Sequence, residues 1–444
     1  MRAVDDTASR LLENLAGERP GDTSAWIAGL RRDAVNRFAE MGLPHTRIED
    51  WKYTSTKPIA KRDFARADAA GATAEAAQIE ALRIPGLAAH RLVFVNGHYA
   101  AALSDGEASD PAVRVKSLAS VLAEEPDALQ NRLAACAPTD FSGFTALNTA
   151  FAEDGAVIEI EANRRIEQPI ELLFVSTAQE QPLAIHPRVL IDAGHHSEAT
   201  LVEHYAGLGD ARNLTNAVTE ARLATGARLA HYRIQREPRR GYHIGSLHVD
   251  QAGASRLEQH NVQIGAALCR TDINTALNDE GAETLYNGLY LANARQHVDT
   301  HTRIHHNQPN TSSEEAYRGI LDGYARGVFN GRVYVAPHAQ KTAAYQSNDN
   351  LLLSGKAEID TKPELEIYAD DVVCTHGATV GQLDTRALFY LRSRGVDLET
   401  ARGLLLYAFA EASIERMAIE GLRDWLQGIV VEELPHSERL QEFV

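Results

Sequence analysis

The sequence predicts a mainly β chain wound as a solenoid, with helical segments before and after it. Three observations lead there. From about residue 155 the hydrophobic period shortens to two, as in Ile158-Glu159-Ile160-Glu161, and short alternating runs continue for more than 200 residues. Small-residue turns punctuate these runs, among them Thr225-Gly226, Ala252-Gly253, Glu280-Gly281, Asp322-Gly323 and Ser354-Gly355. Several of the intervals are near 22 to 32 residues, the length of one coil rather than one hairpin. The helical signal between the runs is weak, which argues against a βαβ sheet and leaves a β-sandwich or cupin-type barrel as the competing all-β arrangement.

The elements follow in order. The first ~80 residues read mostly as helix, with Trp26, Ile27, Leu30, Ala34, Phe38 and Met41 at three- and four-residue spacing and Gly42-Leu43-Pro44 as the stop. An irregular stretch at Arg47–Thr54 comes next, then a strand at 91–100 and an Ala-rich helical pattern over 117–152. The solenoid runs include Glu171–Val175, Val189–Asp192, Thr200–Tyr205, Leu229–Gln235, Ser246–Val249, Leu257–Ile264, Leu285–Leu291, Val328–Val335 and Glu364–Tyr368. From Leu383 the period returns to 3.6. Asp397 is placed to cap a helix with an Ala401, Leu404, Leu405, Ala408, Phe409, Ala412 stripe, and Leu422, Trp425, Leu426, Ile429 and Val430 mark a last one. The expected organisation is a helical domain at 1–85, a mixed connecting region at 86–154, the solenoid core at 155–381 and a C-terminal helical domain at 382–444. Helices at both ends would cover the solenoid's sticky terminal edges.

Composition narrows the function. Sixty-one acidic against 44 basic residues give a net charge of −17, which repels phosphate backbones and argues against nucleic acid or an anionic membrane as the main partner. No run approaches 18 uncharged apolar residues, and Met1-Arg2-Ala3-Val4-Asp5-Asp6 lacks a signal-peptide core, so the cytoplasm is the expected compartment. Three scattered cysteines, 136, 269 and 374, form neither a disulfide framework nor a zinc motif. Cys136, in a helical-looking segment, and Cys269 read as small buried apolar residues. Gly355-Lys356-Ala357 is no P-loop, and neither a dinucleotide fingerprint nor a Gly-x-Ser-x-Gly elbow is present. Any ATP-driven step belongs to another subunit.

Two groups of residues carry candidate chemistry. Cys374 and His376 sit at i and i+2 of a strand-like segment, so both face one way. Two ligands fall short of the four that iron–sulfur clusters take, so the pair is either structural or completed by a second chain. The run from His297 to His305 puts His297, Asp299, His301, Arg303 and His305 on one face and Val298, Thr300, Thr302 and Ile304 on the other. It reads as a polar outer face with Arg303 pairing Asp299. The alternative is a cupin-like mononuclear metal-dependent enzyme using His297, Asp299 and His301.

Longer phrases carry a resemblance. They are Glu49-Asp50-Trp51-Lys52-Tyr53-Thr54, Phe144–Asn148, Tyr317–Asp322, Gly327–Gly331 with Val333-Tyr334-Val335, Gln340–Ser347, Thr361–Ile367, Cys374–Gly381 and Phe389–Gly395. The match is dense from about 285 to 415. In these the chain resembles the SufB/SufD family of the SUF iron–sulfur cluster assembly machinery, and within it the SufD subunits. The resemblance implies a right-handed parallel β-helix flanked by helical domains, acting as a non-catalytic scaffold that pairs with SufB through the β-helices. It also implies docking of the ABC-type ATPase SufC by the C-terminal helical segment, matched here by Phe389, Tyr390, Leu391, Arg392, Arg394 and Gly395. A nascent cluster would form at the SufB interface, where His376 matches the implicated histidine with Cys374 beside it. No cofactor is then expected to stay on the isolated chain, a transient iron–sulfur cluster is expected in the complex, and a homodimer is possible when the chain is alone. The sister subunit SufB carries a cysteine in the segment matching Gln346-Ser347-Asn348, where this chain has none, and Asn310 replaces a histidine common in the family.

Overall fold

The structure, a computed structural model, describes residues 2–22, 24–106, 108 and 110–435. Its centre is a two-sheet parallel β-solenoid. One sheet contains, in spatial order, Gly155–Ile160, Arg188–Ala193, Leu214–Leu223, Tyr242–Gln251, Leu268–Leu277, His297–His306, Arg326–Val335 and Glu358–Ile367. The other runs from His90–Val95 through Ile170–Thr177, Glu198–Leu208, Arg228–Gln235, Arg256–Gln263, Glu283–Ala292, Ser312–Leu321 and Ala343–Leu352 to Val373–Gly381. Consecutive strands alternate between the sheets, so each pairs with the strand one coil before and one coil after it. Glu315 and Gln346, on neighbouring rungs, are 31 residues apart in the chain. The barrel and sandwich alternatives are thereby set aside.

The period of two decides what lies inside. Val298, Ile304, Tyr286, Tyr290, Tyr317 and Phe329 fill the space between the sheets. Bulky rings fit there because glycines stand beside them at the paired position of the next strand. A Cβ on Gly288 would come within 1.9 Å of the Tyr317 ring, and one on Gly319 within 2.0 Å of Tyr290.

The flanks depart from the sequence reading in three places. Helices span Arg2–Asn14 and Ala25–Met41, the latter burying Ile27, Ala34 and Phe38 and ending at Gly42, whose φ is 61°. Residues 42–80, however, hold short helical turns such as Lys57–Ala60 and Ala76–Glu80 and a two-residue strand at Ala65–Arg66. The Ala-rich stretch is likewise broken, into Leu118–Glu124, a 3-10 turn at Pro126–Leu129 and Gly143–Phe151. Between them Asn131 and Ala134 take positive φ, and the backbone N–H groups of Ala134, Cys136 and Ala137 donate to the buried Glu220 carboxylate instead of to a preceding turn. Cys136 therefore sits half-buried in a turn, not a helix, whereas Cys269 is fully buried as expected.

At the other end, helices Thr385–Ser393, Leu398–Ile414 and Glu420–Glu433 follow the last strand. Asp397 caps the second, accepting from Glu399 and Thr400 backbone N–H groups. Its buried face is rotated from the expected stripe: Ala401, Leu406, Ala410 and Ile414 face inward and Ala408 is exposed. With Leu422, Leu426, Ile429 and Val430 this face packs over Val202, Ile234, Val262, Leu289 and Ile320 of the second sheet. Among the described residues no helix is long and apolar enough to cross a membrane.

The glycine spaces carry a prediction. Gly288→Ala should destabilise the chain by about 1–3 kcal/mol through overpacking against Tyr317, whereas Gly355→Ala, with open space around its Cβ, should be silent. Denaturant unfolding of the two variants checks this, and equal effects would contradict it.

Candidate functional site

Among the described residues the solenoid ends without a covering rung. Glu358–Ile367 and Val373–Gly381 are the terminal strands of the two sheets, each hydrogen-bonded to a neighbour on one side only. Ala344, Gln346, Asn348 and Asn350 of the preceding rung point inward and are buried; their register partners are Cys374, His376, Ala378 and Val380. These four side chains thus occupy inward positions at an open mouth. Val373 is 56% exposed, Val380 51%, Tyr345 49% and Tyr368 61%, a concentration of apolar surface at a strand edge.

At this mouth the two sequence-predicted donors differ. Cys374 is half-buried against Ala344, Val333 and Ala336, and burial pushes its thiol up, partly countered by a backbone hydrogen bond at Ala344. His376 is exposed. Among the described residues no three histidine, cysteine or acidic side chains come together as a metal site. Cys374 and His376 are two donors, fewer than the four that an iron–sulfur cluster takes.

The second candidate feature lies just beyond. Helix Thr385–Ser393 is capped by Asp384, whose carboxylate accepts from the Arg386 backbone at 2.8 Å, yet none of its residues is buried. Phe389 is 73% exposed and Tyr390 57%; Arg392, Arg394 and Gly395 are exposed and Leu391 is half-buried. Arg394 stacks on the Tyr390 ring at 5.2 Å. Two aromatic rings in water beside two arginines make the composition of a protein-binding surface.

The 297–305 face is different from its sequence reading. It points outward, but the Asp50–Thr54 segment covers it. Asp299 is fully buried and accepts from Arg270 Nη1 at 2.6 Å and from Thr54 Oγ1 at 2.5 Å, with His301 Nε2 3.1 Å away. Thr54 also meets His297 Nε2 at 2.7 Å. The Arg270 guanidinium lies 3.8 Å over the Trp51 ring and donates to the Asp50 carbonyl. The expected Arg303–Asp299 pair does not form: Arg303 bridges Asp50 at 3.0 Å and Asp272 at 3.2 Å. The reason is geometric. Residues four apart along a strand are separated by about 13 Å, whereas register neighbours lie about 4.8 Å apart, and Arg270 is the register partner of Asp299. With Asp299 already held by Arg270 and Thr54, the face latches the N-terminal segment to the solenoid and does not make the metal centre of a cupin-like enzyme.

Sequence reasoning also missed a polar column inside the solenoid. Successive inward register positions carry His231, Gln259, Tyr286, Glu315, Gln346 and finally His376. The signal was a polar residue at matching positions of successive coils, readable only with the register in hand.

The site is thus the open, apolar-edged last coil of a parallel solenoid with an exposed aromatic helix beside it. Comparison with known proteins gives the family. Residues 174–409 match the SUF system FeS cluster assembly, SufBD core domain, and residues 20–172 match the SufBD protein N-terminal region. The chain belongs to the SufBD family and takes part in iron–sulfur cluster assembly. It is 34% identical over 408 residues to the iron–sulfur cluster assembly protein SufD of Escherichia coli, covering 91% of this chain and 92% of that one. A SufBD family protein of Synechocystis is 34% identical over 421 residues, with 92% of each chain covered. SufD of Bacillus subtilis is 27% identical over 64% of this chain and 65% of its own.

The latch generates a second prediction. Arg270→Ala leaves the buried Asp299 without its arginine and Asp272 with Arg303 alone, and should cost about 3–5 kcal/mol, with faster proteolysis between residues 42 and 56. Burial works to raise Asp272, but Arg270, His301 and Arg303 outweigh it and hold the carboxyl at about 2; Asp299 is depressed further. Both carboxyls thus lie below their unfolded values. Their stabilisation is complete above pH ~4 and lost as the pH falls toward 2. A melting temperature independent of pH across that window would contradict the assignment.

Proposed function

We propose that the chain is a non-catalytic scaffold subunit of the cytoplasmic SUF machinery. It pairs its open last coil with SufB, docks SufC through Phe389–Gly395, and lends His376 and Cys374 to a cluster built at the SufB contact. The carrying observation is the terminal coil itself, where two metal-binding side chain types stand at inward positions of an apolar-edged rung paired on one side only.

The residues divide the work. Unpaired backbone groups along Val373–Gly381 offer a template for a strand or coil of a partner, and Val373, Val380 and Tyr368 supply apolar area to bury. His376 is the first donor, because an exposed imidazole binds iron without giving up covalent structure or a buried position. Cys374 follows, since its thiol must lose a proton that burial makes it keep. A shell completed by two chains is opened by separating them. ATP-driven closure of SufC on the exposed aromatic helix supplies a rigid-body movement to do so. On its own the chain would cover the same apolar coil with a second copy of itself.

His376→Ala should lower cluster absorbance in the co-expressed complex by about tenfold or more, as loss of a metal-site side chain does, without changing the melting temperature. Phe389→Ala combined with Tyr390→Ala should cost more than about 2 kcal/mol of SufC binding and leave SufB pairing intact. Anaerobic size-exclusion chromatography with absorption recorded on the same peak checks both. A fully coloured His376→Ala complex would sink the site, and undiminished SufC binding would sink the docking surface.

A further inference from the structure

Beneath the mouth the polar column contains one carboxyl whose surroundings set it apart. Glu315 is 2% exposed and lies one rung below Gln346, which is 5% exposed and is itself the register partner of His376. Gln346 Nε2 donates to Glu315 Oε2 at 2.6 Å. Among the described residues Gln346 Oε1 and Glu315 Oε1 then lack a close partner, although the Thr302 hydroxyl faces the carboxyl. Gly331, from the opposite sheet, makes room for the pair: a Cβ there would meet Gln346 Nε2 at 1.8 Å and Glu315 Oε2 at 3.1 Å.

Among the described residues no cation answers Glu315. The titratable groups facing it are the phenols of Tyr286, on the preceding rung, and Tyr317, on its own strand; both stay protonated. Thr302 and Gly331 face it from the other sheet. His376 stands two rungs away at the mouth, and Glu314 next door turns outward to Arg416. Elsewhere in the same interior, Glu203 is equally buried but bonds Arg233 and His231, which outweigh burial and keep it ionised. Glu315 lacks that compensation. Burial pushes it up to about 7, and the Thr302 hydroxyl and the Gln346 amide soften the shift without reversing it. A carboxyl so placed exchanges its proton in the physiological range.

We propose that Glu315 is the proton acceptor for sulfide incorporation at the mouth, acting from two rungs below His376. The inference rests on the cluster site proposed above. When hydrosulfide becomes sulfide bound to ferrous iron, the S–H bond breaks, an Fe–S bond forms with the electron pair left on sulfur, and one proton is released. The Glu315 carboxylate takes that proton across the Gln346 rung and becomes the neutral acid; no electron is transferred and no oxidant is required. A partner seated on the mouth closes the solvent route, so an internal acceptor serves where bulk water does not reach.

Glu315→Gln and Glu315→Asp in the full chain test this, with and without the co-expressed SufB and SufC. In the chain alone, difference infrared titration should show a carboxylic C=O band disappearing near pH 7, absent from Glu315→Gln. The melting temperature of Glu315→Gln should exceed that of the wild type at pH 8, and the gap should close toward pH 5. The sign follows from a folded value above the unfolded one: ionising Glu315 costs stability as the pH rises from about 4.5 to 7. In the complex supplied with ferrous iron and sulfide, cluster formation in the wild type should rise through pH 7, Glu315→Gln should be several-fold slower with a flat profile, and Glu315→Asp should restore the slope. A titration of Glu315 among ordinary carboxylates, or an unchanged pH profile in Glu315→Gln, overturns the proposal. His376→Ala in the same assay tests the cluster site separately, because its failure leaves the infrared titration of Glu315 in place.

Discussion

A parallel β-solenoid satisfies its backbone one rung at a time, and the last rung has no successor. That constraint shapes this molecule more than any single contact. Along the stack, hydrogen bonds run from coil to coil in unbroken register from Gly155–Ile160 to Glu358–Ile367 and from His90–Val95 to Val373–Gly381. At the far end the same bonding potential is left open, and the inward positions that deeper coils fill with core become Cys374, His376, Ala378 and Val380 at a mouth. Exposed apolar edges are normally a hazard. In a family that assembles iron–sulfur clusters, the proposal of a partner chain seated on this edge gives its imidazole and thiol a use.

The rest of the structure keeps that mouth in position. The C-terminal helices lie on the outer face of the second sheet, burying Leu406, Leu422 and Leu426 against Val202, Val262 and Leu289. They leave Phe389 and Tyr390 projecting. On the opposite sheet Arg270 gathers Trp51, the Asp50 carbonyl, Asp272 and Asp299 into one node. Such a buried ionic node contributes little net stability relative to an apolar core but is costly to leave incomplete. It holds the N-terminal segment in one place. Inside the solenoid the same logic separates Glu203, which has its cation, from Glu315, which has none.

The solenoid was legible in the sequence where inward residues are apolar, as in Ile158 and Ile160 or Val328–Val335. It was illegible where the interior is polar. The strand Ser312–Leu321 places Ser313, Glu315 and Tyr317 inward, and Ala343–Leu352 places Ala344, Gln346, Asn348 and Asn350 inward. Neither shows a hydrophobic alternation, although each pairs fully with its neighbours. The helical overreading of 130–142 has a related cause: Glu220, over 80 residues away, takes the backbone donors that a helix would use. The Arg303–Asp299 pair was misassigned because same-strand spacing was the only distance available, while the true partner of Asp299 stands beside it on the next strand. Cys374 and His376 were found because they lie close in sequence; that they sit on the last rung required the topology.

Hydrogen–deuterium exchange across the amides of Val373–Gly381 and Glu358–Ile367, with the chain alone and with SufB bound, tests the central claim most directly. The outward edges of these strands should exchange quickly in the isolated chain and become strongly protected in the complex, with Phe389–Gly395 unchanged until SufC is added. Unaltered exchange at the terminal coil in an intact complex would mean that the partner sits elsewhere and that the open mouth is not where the subunits meet.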